Sequence, residues 1–146
     1  MADLVEVQVA TLEGEALNWA VAKAEGLYAF VADPVYMNPH RVFVARRHAQ
    51  PQRYDPAADW AIGGPLMDAH DVEFVRFGDD AEYQKDTQWN QRPCVVAYIQ
   101  RSHRDAYVEF DIDGGVQGDT RLIAACRAIV AAALGATIQV PRELLP

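Results

Sequence analysis

Tyr54-Asp55-Pro56-Ala57-Ala58-Asp59-Trp60-Ala61-Ile62-Gly63-Gly64-Pro65-Leu66 holds two of the eight prolines, two of the nine glycines and one of the three tryptophans in the 146-residue chain. That is more backbone punctuation than a simple connection needs. Pro56 fixes φ and suits the second position of a turn, with Asp55 before it able to bond to its own backbone. Gly63-Gly64 permits positive φ or the close approach of another backbone, and Pro65 pushes Gly64 towards extended geometry. The stretch therefore reads as a shaped loop that lowers Trp60 into an apolar seat.

Regular elements flank it. Upstream, Val5, Val7 and Val9 alternate with Glu6 and Gln8, the signature of a half-buried strand. Ala16, Leu17, Ala20, Val21 and Ala24 recur at helical spacing over about 13–25, with Thr11 as a candidate cap, Trp19 beside the stripe and Gly26 as the stop. Residues 28–32 and 41–45 read as short strands separated by Asp33-Pro34 and Asn38-Pro39 turns. Downstream, 72–77 and the apolar run 94–100 read as strands, the second as a central one, and 106–112 alternates again. Residues 78–91 read as an exposed acidic loop. The strongest helix spans about 120–134: Asp119 or Thr120 caps it, Leu122, Ile123, Cys126, Ile129, Val130, Ala133 and Leu134 form its stripe, and Gly135 ends it. A short strand at 137–140 closes the order. These elements predict one domain over 1–146 of the α+β class, a mostly antiparallel sheet packed by two main helices.

Composition narrows the function classes. The chain is 51% hydrophobic, enough for a sizeable core. No apolar run approaches the roughly 20 residues that span a bilayer, and no basic stretch followed by an apolar one opens the chain, so a cytoplasmic protein without membrane contact is expected. Cys94 and Cys126 sit among apolar neighbours and read as small buried hydrophobes rather than a disulfide. The net charge of −8 disfavours duplex DNA, whose phosphates demand Lys and Arg. The charge is nonetheless segregated. Residues 34–54 contain no acid but hold Arg41, Arg46, Arg47 and Arg53 beside His40 and His48, whereas 68–86 holds Asp68, Asp71, Glu73, Asp79, Asp80, Glu82 and Asp86. Opposed patches of this kind point to self-association or to a charged protein partner, against the simpler reading of two solvated faces.

Three blocks, ALNWAVAKAEG (16–26), YDPAADWAIGGPL (54–66) and GDTRLIAACRAIVAAALGATIQVP (118–141), together resemble the phage NinX-like family of small proteins, found in phages and in bacterial genomes carrying prophage-derived genes. The anchors occur in the right order and span most of the chain, while 27–53 and 68–117 match poorly. The chain departs from the family pattern at Asn18, where aspartate is usual, at Asp55 and Ala57, where serines are frequent, and at Cys126, where methionine is preferred. The resemblance implies a phage-linked accessory origin and brings no activity, cofactor or catalytic residue with it.

Catalytic motifs are poorly supplied. The single serine, Ser102, lacks a nucleophile elbow. His103-Arg104-Asp105 matches three letters of a kinase loop, but Phe110 stands where asparagine is required. Asp68-Ala69-His70-Asp71 has ligand chemistry without paired histidines, and Asp111-Ile112-Asp113 opens like a calcium loop that then fails at Val116 and Leu122, so no metal or cofactor is expected. Residues 114–118 precede a helix N-terminus that could hold a phosphate, but Asp119 places a carboxylate there and capping accounts for it better. The central stretch is the best candidate site. Tyr54, Asp59 and Trp60 would form one wall of a pocket, Gly63 and Gly64 would admit a ligand to the backbone, and Arg41 or Arg53 would supply positive charge. Against it stands the simpler account in which Trp60 is a core plug. The leading expectation is an accessory protein acting through protein contacts; the alternative is a small-ligand binder or enzyme using the 54–66 loop.

Overall fold

The computed structural model describes residues 3–37, 39–77, 94–99 and 115–146. The expected loop at 78–91 and strand at 106–112, with Ser102, His103 and Asp111, lie outside these residues. The described chain runs β1 (Leu4–Gln8), α1 (Gly14–Ala24), β2 (Ala29–Ala32), β3 (Arg41–Val44), β4 (Gln52–Arg53), α2 (Trp60–Ala69), β5 (Val72–Phe77), β6 (Cys94–Ile99), β7 (Val116–Gly118), α3 (Arg121–Leu134) and β8 (Thr137–Pro141). The class is α+β, and every described strand pair is antiparallel. The strands form three small sheets, ordered β1-β8, β2-β3-β4 and β5-β6-β7.

α1 follows its stripe: Leu17, Ala20, Val21 and Ala22 are fully buried. Its cap is Glu13 and not Thr11, whose hydroxyl donates instead to the Gln8 carbonyl at 2.8 Å in a short 3-10 turn. The stop is as expected. Gly26 takes φ +72°, its N–H reaches the Lys23 carbonyl at 3.1 Å, and the Leu27 N–H reaches the Ala22 carbonyl at 2.9 Å. That double closure satisfies the last orphan carbonyls and needs a left-handed residue that only glycine adopts without strain.

α3 is the central element. The Thr120 hydroxyl accepts from the Ile123 N–H at 3.1 Å, and Gly135, at φ +95°, ends the helix. Its many alanines let two sides pack at once. Cys126 and Val130 join the main core with Leu17, Val21, Val42, Tyr54 and Val140, while Ala124 and Ala128 lie against Val95 and Ala97 of β6. β6 is the middle strand of its sheet, as its unbroken apolar run predicts. Arg127 fastens α3 to both flanks, its Nε donating to the Leu12 carbonyl at 2.7 Å and its Nη1 to the Gln117 carbonyl at 2.9 Å.

One expectation is overturned. The second half of the Tyr54–Leu66 stretch is not loop but helix α2, which runs on to Ala69 with Pro65 inside it. Propensity argues against this, since each glycine costs about 1 kcal/mol and an interior proline about 3 kcal/mol relative to alanine. Tertiary contact outweighs it. A Cβ on Gly63 would lie 2.4 Å from the Pro56 carbonyl oxygen and 2.6 Å from Leu122 Cδ2. The missing side chain is what lets α2 lie directly on the preceding turn and on α3. The close approach expected of Gly63 is present; the positive φ is not.

Candidate functional site

β4 carries the chain into the candidate stretch and turns Tyr54 inward. Tyr54 is 6% exposed and belongs to the main core. Its N–H donates to the Val42 carbonyl at 3.0 Å. Burial holds its hydroxyl well above the ordinary tyrosine range, with Glu25 and Cys126 adding to the effect. Next comes a tight turn in which the Ala58 and Asp59 N–H groups donate to the Asp55 carbonyl at 3.0 and 2.9 Å. Pro56 is among the fully buried side chains. The Ala57 N–H donates at 3.0 Å to the Oδ1 of Asn18, a buried polar side chain of α1 at 3% exposure. Asn18 thus anchors the turn from across the core.

Asp59 and Trp60 open α2. Asp59 is its N-cap, Oδ1 accepting from the Ala61 N–H at 2.9 Å. Trp60 is 57% exposed, which overturns its reading as a core plug. It is the first residue of α2, and in the turn before it Pro56 is the fully buried side chain. Gly64 is half-buried on the outer side, where a Cβ would meet nothing nearer than Trp60 Cε3 at 4.0 Å.

The two candidate arginines stand apart from this wall. Arg53 forks onto Glu15 of α1, its Nη1 donating to Oε2 at 2.9 Å and its Nη2 to Oε1. The same Nη1 donates to the Val42 carbonyl at 3.0 Å, and the Val42 N–H donates to Glu15 Oε2 at 3.1 Å. This closed network ties α1 to β3 and commits the guanidinium to it. Arg41 starts β3, half-buried across from Ala32. The structure therefore brings Tyr54 to Gly64 along one continuous path but does not gather Tyr54, Asp59, Trp60, Gly63, Gly64, Arg41 and Arg53 around one cavity.

Among the described residues no group of three His, Cys, Asp or Glu side chains is placed to hold a metal ion. His70, singled out for its acidic neighbours, contacts Glu25 instead, Nε2 to Oε1 at 2.5 Å. Cys126 is free and buried, and burial pushes its thiol up to about 12. Before α3 the Thr120 hydroxyl takes up the Ile123 N–H, and Gly118 packs directly on the first turn, where a Cβ would fall 2.5 Å from the Ala124 amide nitrogen.

Two of the open grooves among the described residues bear on the candidate residues. One, of about 370 Å³, is lined by Gly64, Met67, Asp68, Asp71, Val72 and Glu73. The other, of about 360 Å³, includes Glu13, Glu15, Pro34, His40, Leu144 and Leu145, with the His40 Nδ1 buried beside it and unpartnered among the described residues. Of the predicted site residues, Gly64 lines the first of these grooves.

What sequence reasoning missed is an apolar projection. Between β2 and β3, Val35 is 56%, Tyr36 99% and Met37 98% exposed, and Tyr36 holds a left-handed φ of +59°. Tyr28, before β2, is 76% exposed. The signal was the weak pattern over 27–53, where apolar residues bracketed by Pro34 and Pro39 follow neither strand nor helix period.

Compared with known families, the chain is similar to the one described as Bacteriophage P22, NinX, whose model matches residues 8–133. Compared with curated proteins, it has no match. No described helix is long and apolar enough to cross a membrane.

Proposed function

The chain belongs to the NinX family of bacteriophage P22, and from that premise we propose that it is a phage-derived accessory protein that works by gripping another protein. The observation that carries this reading is the projection Val35-Tyr36-Met37. Apolar side chains scattered singly on a surface need no explanation. Three in a row, with a left-handed residue at their centre, form an apolar prong of the kind that anchors interfaces. The candidate residues around the 54–66 stretch support the same reading, since Tyr54 is buried, Asp59 caps a helix and the preceding Arg53 is held by Glu15.

The test is a pull-down from cells in a phage lytic cycle, with wild type and Tyr36→Ser/Met37→Ser as baits of equal melting temperature. A protein retained by wild type and lost by the variant is the expected result. Identical captures by both baits would remove the basis for the proposal. The small-ligand alternative has its own check: a thermal-shift screen in which a hit responds to Trp60→Ala and Asp59→Asn would move the site to the start of α2.

A further inference from the structure

The groove of about 360 Å³ gathers parts of the chain that are far apart in sequence. Pro34, Pro39 and His40 come from the connection between β2 and β3, Glu13 and Glu15 from the start of α1, and Glu143, Leu144 and Leu145 from the turn after β8. That turn is pinned. The Arg142 N–H donates to the Asp3 carbonyl at 2.9 Å, and the Leu145 N–H donates to the Arg142 carbonyl at 3.1 Å. Leu144 is buried in the main core and Leu145 packs half-buried against it, so the core holds the apolar lining in place.

The polar lining is acidic and unsatisfied. Glu13 and Glu143 are exposed, and among the described residues neither carboxylate makes a hydrogen bond or an ion pair. The guanidiniums that adjoin lining residues do not neutralise them: Arg53 is held by Glu15, Arg142 by Asp3, and Arg41 has an interaction of its own. His40 Nδ1 is buried without a hydrogen-bond partner among the described residues, a state that few polar atoms in folded proteins keep. With the ring proton on Nε2, this nitrogen is an acceptor, as the carboxylates are. Acceptors beside aliphatic carbon are the complement of a side chain that carries only donors on an apolar stem. Arginine is that side chain, its methylenes suited to the leucines and its planar fork to several acceptors at once.

We propose that this groove receives an arginine side chain of the protein that the chain grips, the stem lying on Leu144, Leu145 and Pro34 and the guanidinium meeting Glu13, Glu143 and His40 Nδ1. This site rests on the protein-contact reading above and gives the partner its chemistry. Pro34 and Pro39 line the groove and bracket Val35-Tyr36-Met37, so a partner held at the prong is held beside the groove.

The experiment is an NMR titration of the isotope-labelled full chain with acetyl-leucyl-arginine amide, and in parallel with its citrulline analogue, which keeps the shape and loses the charge. Saturable shifts are expected at the His40 ring nitrogens and at the Leu144 and Leu145 methyls. The citrulline peptide on wild type, and the arginine peptide on Glu13→Gln/Glu143→Gln, should each bind at least about tenfold more weakly, as for the loss of hydrogen bonds to charged groups. Both glutamates are exposed, and a circular dichroism melt checks that the variant folds like wild type. No saturable shift at His40, equal affinity for the two peptides, or a variant that binds the arginine peptide like wild type would each overturn the site. The broader reading is separated by the pull-down. A protein retained through Tyr36 and Met37, and retained equally by Glu13→Gln/Glu143→Gln, would overturn the arginine site and leave the protein-contact reading standing.

Discussion

Gly63 and Gly64 are adjacent in sequence and unequal in consequence. A methyl on Gly63 meets the Pro56 carbonyl oxygen at 2.4 Å, a backbone atom that can yield only by moving the whole turn. Gly63→Ala is therefore expected to cost about 1–3 kcal/mol through overpacking. On Gly64 the same methyl meets the Trp60 ring at an ordinary 4.0 Å, and its one tight neighbour is Pro65, which disfavours a helical residue with a Cβ before it. Gly64→Ala is expected to stay within about 1 kcal/mol of wild type, because the backbone freedom that alanine removes offsets that crowding. Urea denaturation of the pair reads the contrast, and a Gly63→Ala variant as stable as Gly64→Ala would refute this packing of α2. Part of this was legible in the sequence: a glycine pair before proline announces either a turn or a close approach. Choosing between them requires knowing that Pro56 and Leu122 lie opposite, and no local pattern encodes that. Asn18 is the same case. The sequence singles it out only as a departure from the family's usual aspartate, and its partner, the Ala57 N–H, lies 39 residues on.

At the scale of elements, period and punctuation served well wherever the element was bounded by its own residues. α1 and α3 end at Gly26 and Gly135 as expected, α3 starts at Thr120, and β1 alternates. The failures share a cause. The antiparallel partner of β1 is β8, at the other end of the chain, and the one expected sheet is three small ones. The Glu15–Arg53 network is likewise non-local, and it converts a candidate ligand-binding arginine into a clamp between α1 and β3. Among the described residues, Arg53→Ala leaves Glu15 the Val42 N–H alone, in a site where both side chains are less than one-third exposed. A loss of about 1.5–3 kcal/mol is expected, as for hydrogen bonds to charged groups. Arg53→Lys should recover only part of it, since an ammonium cannot reproduce the planar fork. Thermal unfolding of the two variants measures the difference, and a Lys variant as stable as wild type would show that the fork contributes only its charge.

Across the whole molecule, the main core contains two ionisable groups that the fold keeps neutral, Tyr54 from β4 and Cys126 from α3. Both raise the proton affinity of the folded chain above that of the unfolded one. Unfolded, the thiol loses its proton near its ordinary 9.0; folded, it keeps it to about 12. Tyr54 follows the same course from its ordinary 10.0 upward. Over this window the native state binds more protons, so stability is intact below pH 9 and falls as pH rises, by up to about 1.4 kcal/mol per pH unit for each group engaged. Denaturation between pH 8 and 11 should show this decline, shallower from pH 9 in Cys126→Ala and shallower above pH 10 in Tyr54→Phe, whatever each substitution does to stability at pH 7. The slope isolates burial from packing, because a cavity lowers the whole curve while a removed proton site tilts it. Parallel curves for wild type and both variants would mean that water reaches Tyr54 and Cys126, and hence that α1, α3 and the β2-β3-β4 sheet do not close over them as a single core.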